Sequence, residues 1–355
     1  MTIQKMPEHT KASGDRREAQ IVQDGATARL HLTMATADYD HVRDLVHGLV
    51  RPDGIVLTPL VMEVEEIFHR FIKNLEWDVS EMSLAKYTSL TAQGAAPMVA
   101  IPVFPSRVFR HSSIYIRRDR GIAAPKDLEN RTIGIPEWAQ TAGIYARGML
   151  AEFYGVDLTK IRWVQTGVNQ PGRAEKVELK LPPGIRYESR GDASLSDLLA
   201  KGEIDAVMSA RMPDAFAQRP NEIARLFPNY RDEEMRYFRE TRVFPIMHAI
   251  AIRRTVFERH PWIAMNLFKA FEEAKNRSAE RVADITAARI PLPWSAALAG
   301  EFAATFGPDL FPYGVEANRP TLEAFCRFAH QQGITQRQMS PDELFPREVR
   351  ASAKV

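Results

Sequence analysis

The sequence predicts an α/β protein of two lobes, with sheets flanked by helices and two hinge crossings between the lobes. Three observations point there. Stretches with strand-like alternation are followed again and again by stretches of helical periodicity, the signature of open, mainly parallel sheets. Two extended stretches, near 110–118 and 240–250, lie far apart and are placed to carry the chain from one lobe to the other. A chain of 355 residues is long enough for two such lobes, each with its own core.

The elements follow in order. Residues 1–28 have no long apolar run and no small-residue cleavage site after one, so they read as a disordered polar extension and not as a secretory signal. That reading places the protein in the cytoplasm. Arg29 to Ala35 alternates polar and apolar and predicts a strand. A loop through Tyr39 and a helix to Leu49 follow, then a strand over Gly54 to Leu60. Val64, Ile67, Phe68, Phe71, Ile72 and Leu75 recur at helical spacing. Trp77 to Met82 is a short strand, and Ser83 is placed to cap the helix after it. Pro97 to Pro105 leads into an extended segment over Arg107 to Ile116.

A second unit then begins. Pro125 to Ile135 predicts a helical turn and a strand, Thr141 to Tyr154 a helix with Gly155 beyond its end, and Ile161 to Gln165 a strand. Residues 176–181 suggest a hairpin arm, Ser196 to Lys201 a helix stopped at Gly202, and Ile204 to Ser209 a strand. Phe244 to Ile252 is extended and apolar, and His260 to Glu280 is a helix entered through Pro261. The domains expected are lobe 1 over 29–118 plus 241–355, and lobe 2 over 119–240.

Composition removes several classes of function. The 47 basic and 45 acidic residues leave a net charge of +2, which is no footprint for nucleic acid or an anionic membrane. No stretch is apolar for long enough to span a bilayer. Cys326 is the only cysteine, so neither an internal disulfide nor a cysteine zinc site can form. It sits in an amphipathic helix and reads as a buried thiol. No glycine-rich phosphate loop is present. In open α/β sheets ligands bind beyond the carboxyl ends of strands, so the site candidates are Tyr39, the 81–83 segment, the helix start at Thr141 and the 209–211 segment.

Several stretches are familiar together: Ile67-Phe68-His69-Arg70, Trp77 to Ser83, Thr141-Ala142 with Arg147-Gly148, Pro245-Ile246-Met247-His248, His260-Pro261-Trp262, and Pro312-Tyr313-Gly314 with Gln331-Gln332-Gly333. The most specific is Pro102-Val103-Phe104-Pro105-Ser106-Arg107-Val108-Phe109-Arg110-His111-Ser112. Together they resemble the 4,5-dihydroxyphthalate decarboxylase family, from about residue 29 to about 346. The resemblance implies the type II periplasmic-binding-protein fold and removal of carbon dioxide from a hydroxylated aromatic dicarboxylic acid. It implies no organic cofactor.

Such chemistry has defined needs. Direct loss of carbon dioxide leaves an aryl carbanion, so the ring carbon is protonated first, with electron push from a para hydroxyl. A site then needs an acid, a partner for the hydroxyl, and cations for the retained carboxylate. His111 and His248 are the acid candidates, each in a crossing segment. Arg107, Arg110 and Arg211 suit a carboxylate through paired hydrogen bonds. Ser83 and Thr141 open helices that attract anions, Tyr39 can meet a ring hydroxyl, and Ser112 lies in the most specific stretch. Trp138 is a candidate stacking wall. No pattern announces a metal, but a divalent ion on His111, His248 and Glu81 stays open. So does a plain interlobe or packing role for each of these side chains.

Two other functions fit the fold. One is a solute-binding protein for an aromatic acid, which would have to be exported. The other resembles the thiamine-pyrimidine synthases, which need a lysine for pyridoxal phosphate, and Lys86 is the one lysine placed near a cleft. The partner expected is the small aromatic acid, with no nucleic acid and no membrane, and self-association into a homo-oligomer is common among soluble enzymes of this size.

Overall fold

A computed structural model describes residues 20–24, 27–175, 177 and 179–350. The chain runs β1 (Gln20–Asp24), β2 (Thr27–Thr36), α1 (Asp40–Val46), β3 (Ile55–Val61), α2 (Val64–Asn74), β4 (Val79–Ser83), α3 (Leu84–Ala92) and β5 (Met98–Arg107). It continues with β6 (Ile114–Arg117), β7 (Thr132–Ile135), α4 (Thr141–Glu152), β8 (Arg162–Gln165), β9 (Arg186–Ser189), α5 (Leu195–Lys201), β10 (Ala206–Met208), α6 (Asp214–Gln218), β11 (Ile223–Arg225) and α7 (Tyr230–Thr241). It ends with β12 (Ile246–Arg253), α8 (Arg254–Arg259), α9 (Ile263–Ala283), α10 (Ser295–Phe306), α11 (Arg319–Gln331) and α12 (Pro341–Leu344).

The strands form two mixed sheets. The first has the order β1-β2-β4-β12-β5, with β3 also on β2; the second has the order β11-β6-β10-β7-β8-β9. In the first sheet β2, β3 and β4 run parallel, and β12 lies antiparallel between β4 and β5. In the second, β10, β7, β8 and β9 are parallel, β6 runs against them, and β11, antiparallel to β6, shares their direction. The middle of the chain therefore builds one sheet, and the two ends build the other.

The patterns that predicted the elements are the patterns that bury them. Leu30, Leu32 and Met34 of β2 point into the core while His31 and Thr33 are half-buried. On α2 the stripe of Ile67, Phe68 and Phe71 is buried against the first sheet. Each such side chain contributes about 1.5–3 kcal/mol of transfer free energy. β12 is buried almost throughout, as a central strand covered on both faces must be. In the second unit Val164, Leu195, Leu198, Leu199 and Val207 form a smaller core of their own. Helices α4 and α11 meet at Gly148, where any Cβ would lie 2.3 Å from the Phe328 ring, so only glycine permits the approach.

Two short passages join the sheets, and they touch: the Val108 amide donates to the Pro245 carbonyl at 3.2 Å. The first passage is not one extended segment. Residues 108–113 turn, with a single 3₁₀ turn at His111–Ser113, and Ile114 to Arg117 already belong to the second sheet, ahead of the expected boundary at 118.

Several details depart from the sequence reading. The polar extension was expected to reach residue 28, but β1 at Gln20–Asp24 pairs antiparallel with β2, which itself begins at Thr27. A β-ladder is satisfied by backbone groups, so a polar sequence does not prevent it. Residues 1–19 lie outside the described residues, as do Lys176 and Glu178 in the expected hairpin arm; residues 179–181 form no strand, and Leu179 and Leu181 pack on the core instead. The strands β9 and β11 and the charged helix α7 had no clear sequence signal. Among the described residues no helix is long and apolar enough to cross a membrane.

Candidate active site

A cavity of about 350 Å³ opens between the two sheets. Its first-sheet wall is built from Val64, Glu65 and Phe68 of α2, Ser83 and Lys86 around the start of α3, and Met247 and His248 of β12. The facing wall comes from Glu137, Gln140, Thr141 and Ala142 around the start of α4, from Arg173, and from Ala210 and Arg211 beyond β10. Arg110 enters from the passage between the sheets. The lining thus gathers beyond the carboxyl ends of β4, β7 and β10, where open sheets leave room for ligands.

The strongest polar constellation lies in the first-sheet wall. His248 stands opposite Ser83 in the β4–β12 ladder, and Glu81 is two residues earlier on β4, so all three share a face. The pairing of β12 with β5 shifts register on both sides of His248, an irregularity of the kind that re-aims a side chain. His248 Nδ1 bonds Glu81 Oε1 at 2.6 Å. Glu81 is wholly buried and also accepts from the Tyr39 hydroxyl at 2.6 Å and the Ala37 amide at 2.9 Å. Burial alone would raise its pKa, but the hydrogen bond and charge of His248, then the Tyr39 and Ala37 donors, hold it below the usual value. A carboxylate kept ionised can only accept, so Nδ1 carries a proton. Phe68 meets the imidazole edge-on at 4.8 Å between centroids.

The cations are arranged at two depths. Arg110 is deep: its Nε is buried and has no hydrogen-bond partner among the described residues. Burial pulls its pKa down to about 10, which still leaves it charged at neutral pH. Arg211 is exposed at the rim, its backbone amide turned onto Ser209 Oγ at 3.2 Å. Between them α3 and α4 present their N-termini, and the two are stitched together: Ser83 Oγ and Thr141 Oγ1 are 3.0 Å apart, and the Ala85 amide donates to Thr141 Oγ1 at 3.1 Å. Ser83 therefore does not cap its own helix; its hydroxyl spans the cleft.

Sequence reasoning missed an ion-pair chain across the same cavity. Lys86 Nζ is 3.4 Å from Glu137 Oε2; Arg173 Nε and Nη2 hold Glu137 Oε1 at 2.7 and 2.6 Å; Arg173 Nη1 reaches Glu65 Oε1 at 3.1 Å. Lys86 and Glu137 are almost completely buried. The signal was weak because Glu137 and Arg173 stand in irregular segments without a motif.

Of the nine residues singled out from sequence, Ser83, Arg110, Thr141, Arg211 and His248 line the cavity together, and four do not. His111 is fully buried among the rings of Tyr154, Phe227 and Tyr237, with both nitrogens lacking a hydrogen-bond partner. Desolvation lowers its pKa to about 4, so at neutral pH it is uncharged. Arg107 is spent on structure: it donates to the Pro312 carbonyl at 3.0 Å and to Asn318, and packs on Phe104, Phe244 and Phe311. Ser112 places its amide 3.4 Å from Glu234 and its carbonyl under Arg225. Tyr39 stands behind the wall, on Glu81. Trp138 is no stacking wall either; it is buried beneath the Arg147 guanidinium. Cys326 is buried, and desolvation raises its pKa to about 12. The metal trio of His111, His248 and Glu81 is not assembled, because His111 faces the aromatic cluster; among the described residues no group of three or more His, Cys, Asp or Glu side chains is placed to hold an ion.

Comparison with known proteins adds the following. No family model matches the chain. It is 38% identical over 319 residues to a 4,5-dihydroxyphthalate decarboxylase of Comamonas testosteroni, covering 90% of this chain and 97% of that one. A 4,5-dihydroxyphthalate decarboxylase of Pseudomonas putida is 41% identical over 207 residues, 58% of this chain and 79% of the relative. Among solved structures, the periplasmic sulfonate-binding protein SsuA of Methylobacillus flagellatus superposes with a TM-score of 0.53 at 14% identity, covering 90% of this chain and 92% of the other. The aliphatic sulphonate binding protein SsuA of Escherichia coli gives 0.50 at 12% identity, covering 90% and 98%. These structures establish the binding-protein fold and nothing about the ligand.

Proposed function

We propose a mechanism from one premise: the chain belongs to the 4,5-dihydroxyphthalate decarboxylase family, and it is a carboxy-lyase that converts 4,5-dihydroxyphthalate to 3,4-dihydroxybenzoate (protocatechuate). The observation that carries the mechanism is the Glu81–His248 pair in the cavity wall. Glu81 accepts the Nδ1 proton and fixes the ring, and the reaction calls on the imidazolium form, whose Nε2 proton is offered to the cavity. One substrate carboxylate binds Arg110, helped by the N-termini of α3 and α4 and by Arg211 at the rim. That fixes the ring with the other carboxylate-bearing carbon against His248. Nε2 gives its proton to that carbon while the para hydroxyl pushes electrons into the ring. The bond to the carboxylate then breaks, its electron pair restores the aromatic ring, and carbon dioxide leaves. Solvent returns the proton to His248, so one proton is consumed per turnover.

The ring hydroxyl is the electron source, so the proposed reaction uses no organic cofactor, and the separation of His111 from Glu81 and His248 argues against a metal on that trio. The two sheets are read as two lobes that close on the substrate about the paired passages at 108–113 and 242–245. The touching backbones at Val108 and Pro245 support that reading. The cytoplasm is the proposed compartment. A receptor role in transport has only the shared fold in its favour.

The test is to incubate purified protein with 4,5-dihydroxyphthalate, with and without a chelator, and follow product by chromatography. Protocatechuate is expected at the same rate in both arms. No product in either arm would remove the substrate assignment, and product lost only with chelator would restore a metal.

A further inference from the structure

The mechanism leaves the hydroxyl end of the substrate without a partner in the protein. A carbon bearing the departing carboxylate and the oxygen para to it lie at opposite ends of one ring. With the carbon against His248 in the first-sheet wall, the oxygen points toward the facing wall. That wall offers one carboxylate, Glu137, and Lys86 of the first-sheet wall reaches it at 3.4 Å, the one lysine among the described residues lining the cavity. Both are nearly fully buried.

We propose that Glu137 and Lys86 form the diol-recognising end of the cavity and manage the proton of the para hydroxyl. The proposal rests on the reading of His248 as the ring-carbon acid. Adjacent phenolic hydroxyls are two parallel donors, and a carboxylate is the side chain that accepts two. Arg173 orients Glu137 through Oε1, at 2.7 and 2.6 Å. A buried ion pair recovers its desolvation cost poorly, so such a pair inside a substrate cavity is weak evidence of stabilisation. It is well suited to a transient phenolate.

The proton balance closes. Glu137 takes the proton of the para hydroxyl as His248 delivers one to the ring carbon, and the oxygen becomes the carbonyl of a dearomatised intermediate beside the Lys86 ammonium. When the carbon–carboxylate bond breaks, its electron pair restores the ring, the carbonyl electrons return to oxygen, and Glu137 gives the proton back.

Two non-reacting ligands separate the two ends: phthalate carries both carboxylates and no hydroxyl, and protocatechuate carries the diol and one carboxylate. Calorimetry on wild type, Glu137→Gln and Lys86→Met, with thermal melting as the check of folding, should show protocatechuate weakened about tenfold or more in the variants, the loss expected for a hydrogen bond to a charged group. Phthalate should change by less than about threefold on the same scale. Equal weakening of both ligands would make the pair a general brace of the closed cleft, and unchanged protocatechuate would remove it from recognition; either result overturns the proposal. If Glu137→Gln does not fold, Glu137→Asp, which keeps the charge but shortens the reach, decides by the same criterion. Failure of wild type to bind phthalate would sink the Arg110 anchor alone, and protocatechuate against benzoate would still decide the diol site.

Discussion

His111 and His248 look alike in the sequence, one in each expected crossing segment, yet the fold gives them opposite environments, a turn between the sheets and the start of β12. His248 is anchored through Nδ1 to an ionised, buried carboxylate and lines the cavity. His111 is caged by three aromatic rings, has no hydrogen-bond partner, and is held neutral. Glu234 Oε1 stands 3.8 Å from His111 Nδ1, too far to hydrogen-bond it, and desolvation wins there, whereas Glu81 accepts from His248 Nδ1 at 2.6 Å. The neighbours thus assign the chemistry, not the position of the residue in the chain.

The largest expected effect separates the two directly. His248→Gln keeps a polar side chain of similar reach but cannot deliver a proton, and should lower kcat by about 10²–10⁴. The matching His111→Gln should leave kcat within a few-fold in whatever fraction folds. Single-turnover rates on both proteins check this, and comparable losses in the two would collapse the distinction. A smaller effect sharpens its cause. Glu81→Gln keeps the shape but removes the charged acceptor of the Nδ1 proton, and a charged hydrogen bond of about 1.5–3 kcal/mol corresponds to a rate loss of roughly 10–100-fold. Single-turnover rates check this as well, and an unchanged kcat would mean that Glu81 only fills space.

The smallest effect on activity belongs to the cage, where it appears as stability. In the unfolded chain His111 titrates near 6.5, and in the fold it is pushed down to about 4. Between those values the unfolded chain binds more protons, so stability falls as pH drops from 6.5 toward 4 and the loss saturates below. The full loss is of order 3 kcal/mol. His111→Phe should therefore melt higher than wild type at pH 5, with the gap narrowing by pH 8. A gap of constant size across that range would place the acid sensitivity elsewhere.

Much of this was legible before the structure. The period-2 run of β2 and the 3.6-period stripe of α2 are local signals, and they mark the elements that bury those faces. Ser83, Thr141 and Arg211 were found because residues just beyond strands converge in open sheets. What failed was direction and register. Arg110 lines the cavity and its neighbour His111 does not, because consecutive side chains of a turning passage leave in different directions. The Glu81–His248 pair depends on how β12 registers against β4, a contact across 167 positions that no local pattern encodes. Glu137 and Arg173 stand in irregular segments, where periodicity says nothing.

The place of β12 in the first sheet also dictates an order of events during synthesis. Strands β4 and β5 are finished by residue 107, but they are not neighbours; the strand that joins them begins at Ile246. Until the ribosome has made that strand, the first sheet is open down its middle. The strands of the second sheet, from Ile114 to Arg225, are all complete before then. The later-encoded sheet can thus finish first, and the nascent first half must wait with two unpaired inner edges, the stage at which a growing chain is most open to wrong pairing.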